Sequence, residues 1–208
     1  MTTYVAAPAL QKKIKTTLRD FKKVWKNDTA VYEELCFCLL TPQSSAKQAM
    51  KCIEELKRHK LLDKGSALQK EKYVRKVRFF RTKAKRLEEA QKKFPSAKIK
   101  QILTDNGLPN NAIKTREFLV RNVNGYGMKE ASHFLRNIGF GQEIAILDRH
   151  ILKNLKSCGV IKEVPKSLTP KKYLEIEDKM HSFCKKKGID FAELDLVFWS
   201  NETGEVLK

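Results

Sequence analysis

The sequence predicts an all-α protein. Glycine and proline are sparse, 9 and 6 in 208 residues. Strict alternation of apolar and polar residues is rare. Apolar positions recur at helical spacing along almost the whole chain. Residues 8–27 read as a basic amphipathic helix. Asp28 is placed to cap a very apolar helix over 30–40. Thr41-Pro42-Gln43-Ser44-Ser45 interrupts it and opens a further helix ending near Arg58. Residues 68–78 form a short basic helix, and 80–93 a longer one stopped by Phe94-Pro95. Segments 97–103 and 110–123 follow. The helix over 128–138 is stopped by Gly139 and Gly141. Asp148 caps 149–157. Thr169-Pro170 opens a helix through Lys187, because proline suits a first helical turn. Gly188-Ile189-Asp190 starts the last helix, which reaches about Trp199. No repeat, low-complexity linker or shift of composition divides the chain. One unit over 1–208 is expected, with two helical lobes and a cleft between them.

Charge narrows the partners. Lysine plus arginine number 43 against 24 aspartate plus glutamate, a net charge of +19. Such an excess attracts polyanions, of which nucleic acid is the commonest; a solvated lysine-rich surface is the blander explanation. No run of about 18 apolar residues could span a membrane. Residues 1–10 lack a basic-then-apolar leader pattern, so a cytoplasmic, nucleoid-associated location is expected. The five cysteines, Cys36, Cys38, Cys52, Cys158 and Cys184, form neither a CxxC pair nor a cluster with zinc-ligand spacing. They read as apolar core residues, and no metal is expected.

The densest chemical signal is Gly125-Tyr126-Gly127 followed by Lys129. Two glycines within three residues let the backbone take positive φ and turn its N–H groups toward an anion. The helix N-terminus that follows adds partial positive charge. A DNA phosphate suits such a turn, and so does the bland role of a capped helix–helix connection. Leu119, Val123, Tyr126, Ala131 and Leu135 supply the apolar positions of a helix-hairpin-helix within 110–140, and Ala131 is small enough for close helix approach. Lys129 would point into the cleft, where a neutral amine can attack a sugar carbon. Asp148, nineteen residues on, follows the apolar run Ile144-Ala145-Ile146-Leu147. It can cap its helix, and at a cavity edge it can also take a proton or stabilise a cationic sugar. His133 lies one turn from Lys129 and could line the cleft, although a packed surface histidine is the commoner outcome. His150 reads as structural.

Lys129 after Gly-Tyr-Gly-Met, with Leu-Asp-Arg-His downstream, resembles the helix-hairpin-helix-Gly/Pro-Asp superfamily of DNA glycosylases. Asn124 stands where proline often precedes the first glycine. Leu40-Thr-Pro-Gln-Ser-Ser-Ala resembles the superfamily segment whose glutamine fills the gap left by an extruded base, and Gln43 matches it. The iron–sulfur tail of one branch and the N-terminal β domain of another are both missing. What remains is similar to the compact archaeal-type 8-oxoguanine DNA glycosylase/AP lyase family over nearly the whole length. That includes Val77-Arg-Phe-Phe-Arg-Thr-Lys-Ala-Lys-Arg and an ending on Trp199 and Lys208. The resemblance implies base flipping, glycosidic cleavage and strand nicking by Lys129 and Asp148. It implies backbone binding by Gly125, Tyr126 and Gly127, and base recognition by Trp199 and Lys208. Double-stranded DNA with 8-oxoguanine or abasic sites would be the partner of a monomer that needs no metal or organic cofactor. A non-enzymatic DNA grip would need the glycines and the charge but not the amine–carboxylate pair. A monofunctional glycosylase would keep the aspartate without the lysine. A glycosylase/AP lyase for another base, such as an oxidised pyrimidine, is the remaining alternative.

Overall fold

Helical periodicity becomes helices in all the places where it was strongest. The computed structural model describes residues 7–203. Among them are α1 (Pro8–Val24), α2 (Asp28–Leu40), α3 (Ala46–Arg58), α4 (Ala67–Val74), α5 (Phe80–Lys93), α6 (Ile99–Asp105), α7 (Ala112–Asn122), α8 (Met128–Asn137), α9 (Arg149–Ser157), α10 (Pro170–Lys187) and α11 (Phe191–Thr203). A 3₁₀ turn, Ser96–Lys98, precedes α6. No strand occurs among the described residues.

The helix starts follow side-chain chemistry. Ser45, Ser66, Asn111, Asp148 and Thr169 each accept a bond from a backbone N–H in the first turn of the helix that follows. One expected cap is displaced. Asn27, not Asp28, caps α2, accepting from Ala30 N at 3.0 Å. Asp28 opens the helix itself and instead accepts from Lys100 N at 3.2 Å, because an asparagine already occupies the preceding extended position. Gly188 ends α10 in the left-handed conformation at φ 64°.

Two cores form, and the chain passes from one to the other between Ile144 and Ala145. The first gathers α2, α3, α5, α6, α7 and α8, with Leu35, Leu39, Leu87, Leu103, Leu119 and Phe134 among its buried residues. Helix α2 sits at its centre, buried without a break from Leu35 to Leu40; that explains an apolar sequence with no polar face. The second core joins α9, α10 and α11 through Leu147, Ile151, Leu155, Tyr173, Met180 and Phe198. Helix α1 closes the back, its Ile14 and Phe21 packing with Leu196 and Val197 of α11, and it also contacts α8. Cys36, Cys38, Cys52 and Cys184 are buried and unpaired with one another, and Cys158 is half-buried.

A buried ionic network ties the two cores together. The Arg116 guanidinium of α7 donates to both carboxylate oxygens of Glu177 of α10, at 2.6 and 2.8 Å, and to Ser132 Oγ of α8 at 3.3 Å. Glu177 also accepts from Ala145 N, and the Tyr173 hydroxyl donates to Ala145 O and accepts from Leu147 N. The extended segment 144–147, which has no partner strand, thus places its backbone groups on side chains of α10. Asp148 is the next residue.

Candidate active site

The predicted hairpin forms between α7 and α8. Leu119, Val123, Tyr126, Ala131 and Leu135 are all buried. Gly125 takes φ 97°, and a Cβ there would stand 2.7 Å from the Arg86 side chain. Only glycine lets the guanidinium of α5 lie against the turn, so the hairpin carries a cation from outside its own sequence. Tyr126 is buried as an apolar hairpin position should be. Its amide donates to Val123 O and its hydroxyl to Leu35 O at 2.9 Å, with the ring in the core. It fixes the hairpin to α2. The amide of Gly127 is also engaged, donating to Glu130 Oε2 at 3.3 Å, a glutamate in the first turn reaching back to the helix start.

Lys129 occupies the first turn of α8, partly exposed, with Nζ 3.4 Å from Glu130 Oε1. The same glutamate therefore caps the helix and holds the ammonium. A narrow cavity opens beside it. From α8 come Lys129, His133 and Arg136; from the second lobe come Ile146, Asp148 and Ile151; from α11 come Asp195, Leu196 and Trp199. The cavity lies at the meeting of the two cores, and it brings together the lysine and the aspartate that stand nineteen residues apart in sequence. Asp148 accepts from Ile151 N at 2.8 Å, so one carboxylate oxygen caps α9 while the residue borders the cavity. Trp199, which also lines the cavity, is half-buried. The His150 ring meets the indole edge-on, 5.2 Å between centroids at 88°, which fits the structural role expected for that histidine.

His133 is not a surface residue. Its ring is buried, lines the cavity and meets Phe37 edge-on at 5.8 Å. The helical offset of four from Lys129 was the signal for this, and the burial of α8 beyond its first turn decides it. Asp195 and Arg136 carried no such signal. Asp195 is buried 3.7 Å from Arg136 Nη1. Burial pushes its carboxyl above the usual carboxylate range; Arg136 opposes the rise and the charge of Asp148 adds to it. Two carboxylates in different surroundings thus border one cavity.

Gln43 is not among the residues that line the cavity; it is exposed, with a left-handed backbone at φ 54°. The loop it belongs to is anchored from beneath. Lys83 of α5, buried, donates to Leu40 O and Pro42 O, both at 2.7 Å, and to Ser44 Oγ at 3.0 Å. Burial pulls its amine down to about 8, with the positive charges of Arg86 and Lys129 contributing. Lys208, expected to contact a base, lies outside the described residues.

The comparisons with known proteins fall on one family. The profile for 8-oxoguanine DNA glycosylase matches residues 14–189. A protein of Fusobacterium nucleatum called 8-oxoguanine DNA glycosylase/AP lyase is 47% identical over 199 residues, covering 93% of this chain and 90% of the relative. One of the same name from Methanocaldococcus jannaschii is 38% identical over 188 residues, covering 88% and 85%. Among solved structures, the M. jannaschii enzyme in complex with a 15mer DNA containing 8-oxoguanine superposes with a TM-score of 0.81 at 35% identity, over 95% of this chain and 93% of that one. The Thermotoga maritima 8-oxoguanine DNA glycosylase gives 0.83 at 30% identity, over 95% and 92%. The helical architecture agrees with these matches, and the chain belongs to the 8-oxoguanine DNA glycosylase family.

Proposed function

We propose that this protein removes 8-oxoguanine from double-stranded DNA and then nicks the strand, with Lys129 as nucleophile and Asp148 as the acid–base and electrostatic residue. The observation that carries the assignment is their convergence on one cavity from two lobes. A DNA grip would need only the hairpin and the charge. The turn Gly125, Tyr126 and Gly127 grips the DNA backbone, with Arg86 lying against it; the fold of α7 and α8 around the turn makes up the hairpin element. Extruding a nucleotide costs a few kcal/mol, and Gln43 occupies the space it leaves. The base stacks on Trp199, a contact worth about 1–3 kcal/mol, and Lys208 completes its recognition.

The free amine of Lys129 attacks C1′, the C1′–N9 bond breaks, and the base leaves with its electron pair and takes up a proton. The Asp148 carboxylate stabilises positive charge on the sugar as the base leaves, and then accepts one proton from the newly attached nitrogen. The nitrogen lone pair then expels the ring oxygen O4′, which takes up the proton held by Asp148, and the sugar opens to a Schiff base that keeps one N–H. Removal of a C2′ proton then expels the 3′ phosphate by β-elimination. These steps use the chain's own residues throughout. Such chemistry belongs with the genome in the cytoplasm, and one copy of the chain supplies every named group.

The competing substrate is an oxidised pyrimidine. Single-turnover excision from matched duplexes carrying 8-oxoguanine or an oxidised thymine separates the two. The account expects 8-oxoguanine to be released at least tenfold faster; the reverse order would assign the pocket to pyrimidines.

A further inference from the structure

Gln43 and Phe79 both hold left-handed backbone, at φ 54° and φ 57°. Such conformations are costly for residues with side chains and persist where surroundings fix them. Both side chains are exposed, Phe79 by 54%. The two loops are joined by one hydroxyl, Ser44 Oγ, which accepts from Arg78 N at 2.9 Å and from Lys83 Nζ at 3.0 Å. Lys83 spans both, since its own amide donates to Phe79 O at 3.0 Å. Its ammonium also meets Leu40 O and Pro42 O at the C-terminal end of α2. No basic residue stands in the last turn of α2, so α5 provides the cation that those carbonyls and the helix dipole favour.

We propose that Lys83 is a positioning residue that holds Gln43 in its left-handed, outward pose, so that the glutamine is ready to enter the helix when the damaged nucleotide leaves. The proposal rests on the gap-filling assignment of Gln43. A buried cation with all its donors used is a costly way to close a loop, and two of the groups it holds, Pro42 O and Ser44 Oγ, flank the one residue whose side chain must stay free.

The test compares single-turnover excision of 8-oxoguanine paired with cytosine against the same lesion as a single-nucleotide bulge, which leaves no orphaned base to accommodate. Lys83→Met keeps the apolar stem and removes the ammonium; it should slow the paired substrate at least tenfold and the bulge at least fivefold less than that. Lys83→Arg, which can still donate to several carbonyls, should recover most of the loss. Ser44→Ala should slow the paired substrate about threefold. Combining Gln43→Ala with Lys83→Met should be no worse than the more damaging single change, since both act through one side chain. Equal losses on paired and bulged substrates, or losses that multiply in the double variant, would overturn the proposal. If Gln43→Ala changes the paired-to-bulged ratio and Lys83→Met does not, Lys83 alone is misassigned. If Gln43→Ala leaves the ratio unchanged, the gap-filling assignment fails first. Should Lys83→Met lack a cooperative melt, the ratio measured for Ser44→Ala decides, and an unchanged ratio there counts against the proposal.

Discussion

At the scale of single residues, the proposed mechanism gives Asp148 two functions that one substitution can part. Its side chain caps α9 through Ile151 N, and asparagine caps as well as aspartate does. Asp148→Asn is therefore expected to melt within a few degrees of the parent while base release slows by two orders of magnitude or more, because the negative charge is gone. Excision within twofold of the parent, measured in single turnover, would reduce the residue to a cap. Gly125 offers a second test. A side chain there must adopt φ 97° and displace the Arg86 side chain. Gly125→Ala should weaken binding to undamaged duplex about tenfold in fluorescence anisotropy, and unchanged affinity would separate the hairpin from the DNA. That Lys129 and Asp148 could line one cavity, and that the glycines make the hairpin turn, was legible because residue type and spacing announce it. Asp195 and Arg136 were not, because their importance arises from a buried contact between α8 and α11, fifty-nine residues apart in the chain.

At the scale of elements, the spacing between Lys129 and Asp148 depends on α10. Arg116 reaches from the hairpin to Glu177, and Glu177 with Tyr173 holds the extended segment leading to Asp148. Removing one member of a buried pair leaves the other charged and unsolvated, at a cost of about 3–5 kcal/mol. Glu177→Gln should lower stability toward that range in urea unfolding and reduce excision at a temperature where the variant remains folded. A loss below about 1 kcal/mol would show that the segment is held by its apolar contacts alone. Helix positions were readable from periodicity, since burial of one face is what produces it, and starts such as Ser45, Thr169 and Asp148 were marked by capping residues. The cap of α2 was misplaced by one residue because Asn27 and Asp28 are both good caps, and sequence cannot rank adjacent candidates. Tyr126 was read for its place in the hairpin, while its fate was set by Leu35 O, a carbonyl ninety-one residues away.

For the whole molecule, the net charge of +19 and the two-lobed arrangement act together. The cleft selects where DNA is worked on, and the charge brings DNA to it. Each phosphate neutralised contributes about −0.9 to the slope of log affinity against log salt on duplex DNA. Binding to a duplex with unrelated flanking sequence should fall log-linearly with a slope of about −4 or steeper. A flat response would contradict the electrostatic footprint. The two lobes could be expected from a chain with apolar helices on either side of the hairpin. Their meeting point, which sets His133 and Trp199 facing one cavity, follows from packing that no local pattern encodes.

The account turns on which amine forms the bond to DNA, in a chain with many lysines. Borohydride reduction during turnover on 8-oxoguanine duplex, followed by nuclease and protease digestion and mass spectrometry, locates that bond directly. The account predicts the sugar remnant on the peptide bearing Lys129, and no adduct when Lys129→Gln is used in its place. An adduct on another lysine or on the chain's amino terminus, or trapping by Lys129→Gln at the parent rate, would contradict it.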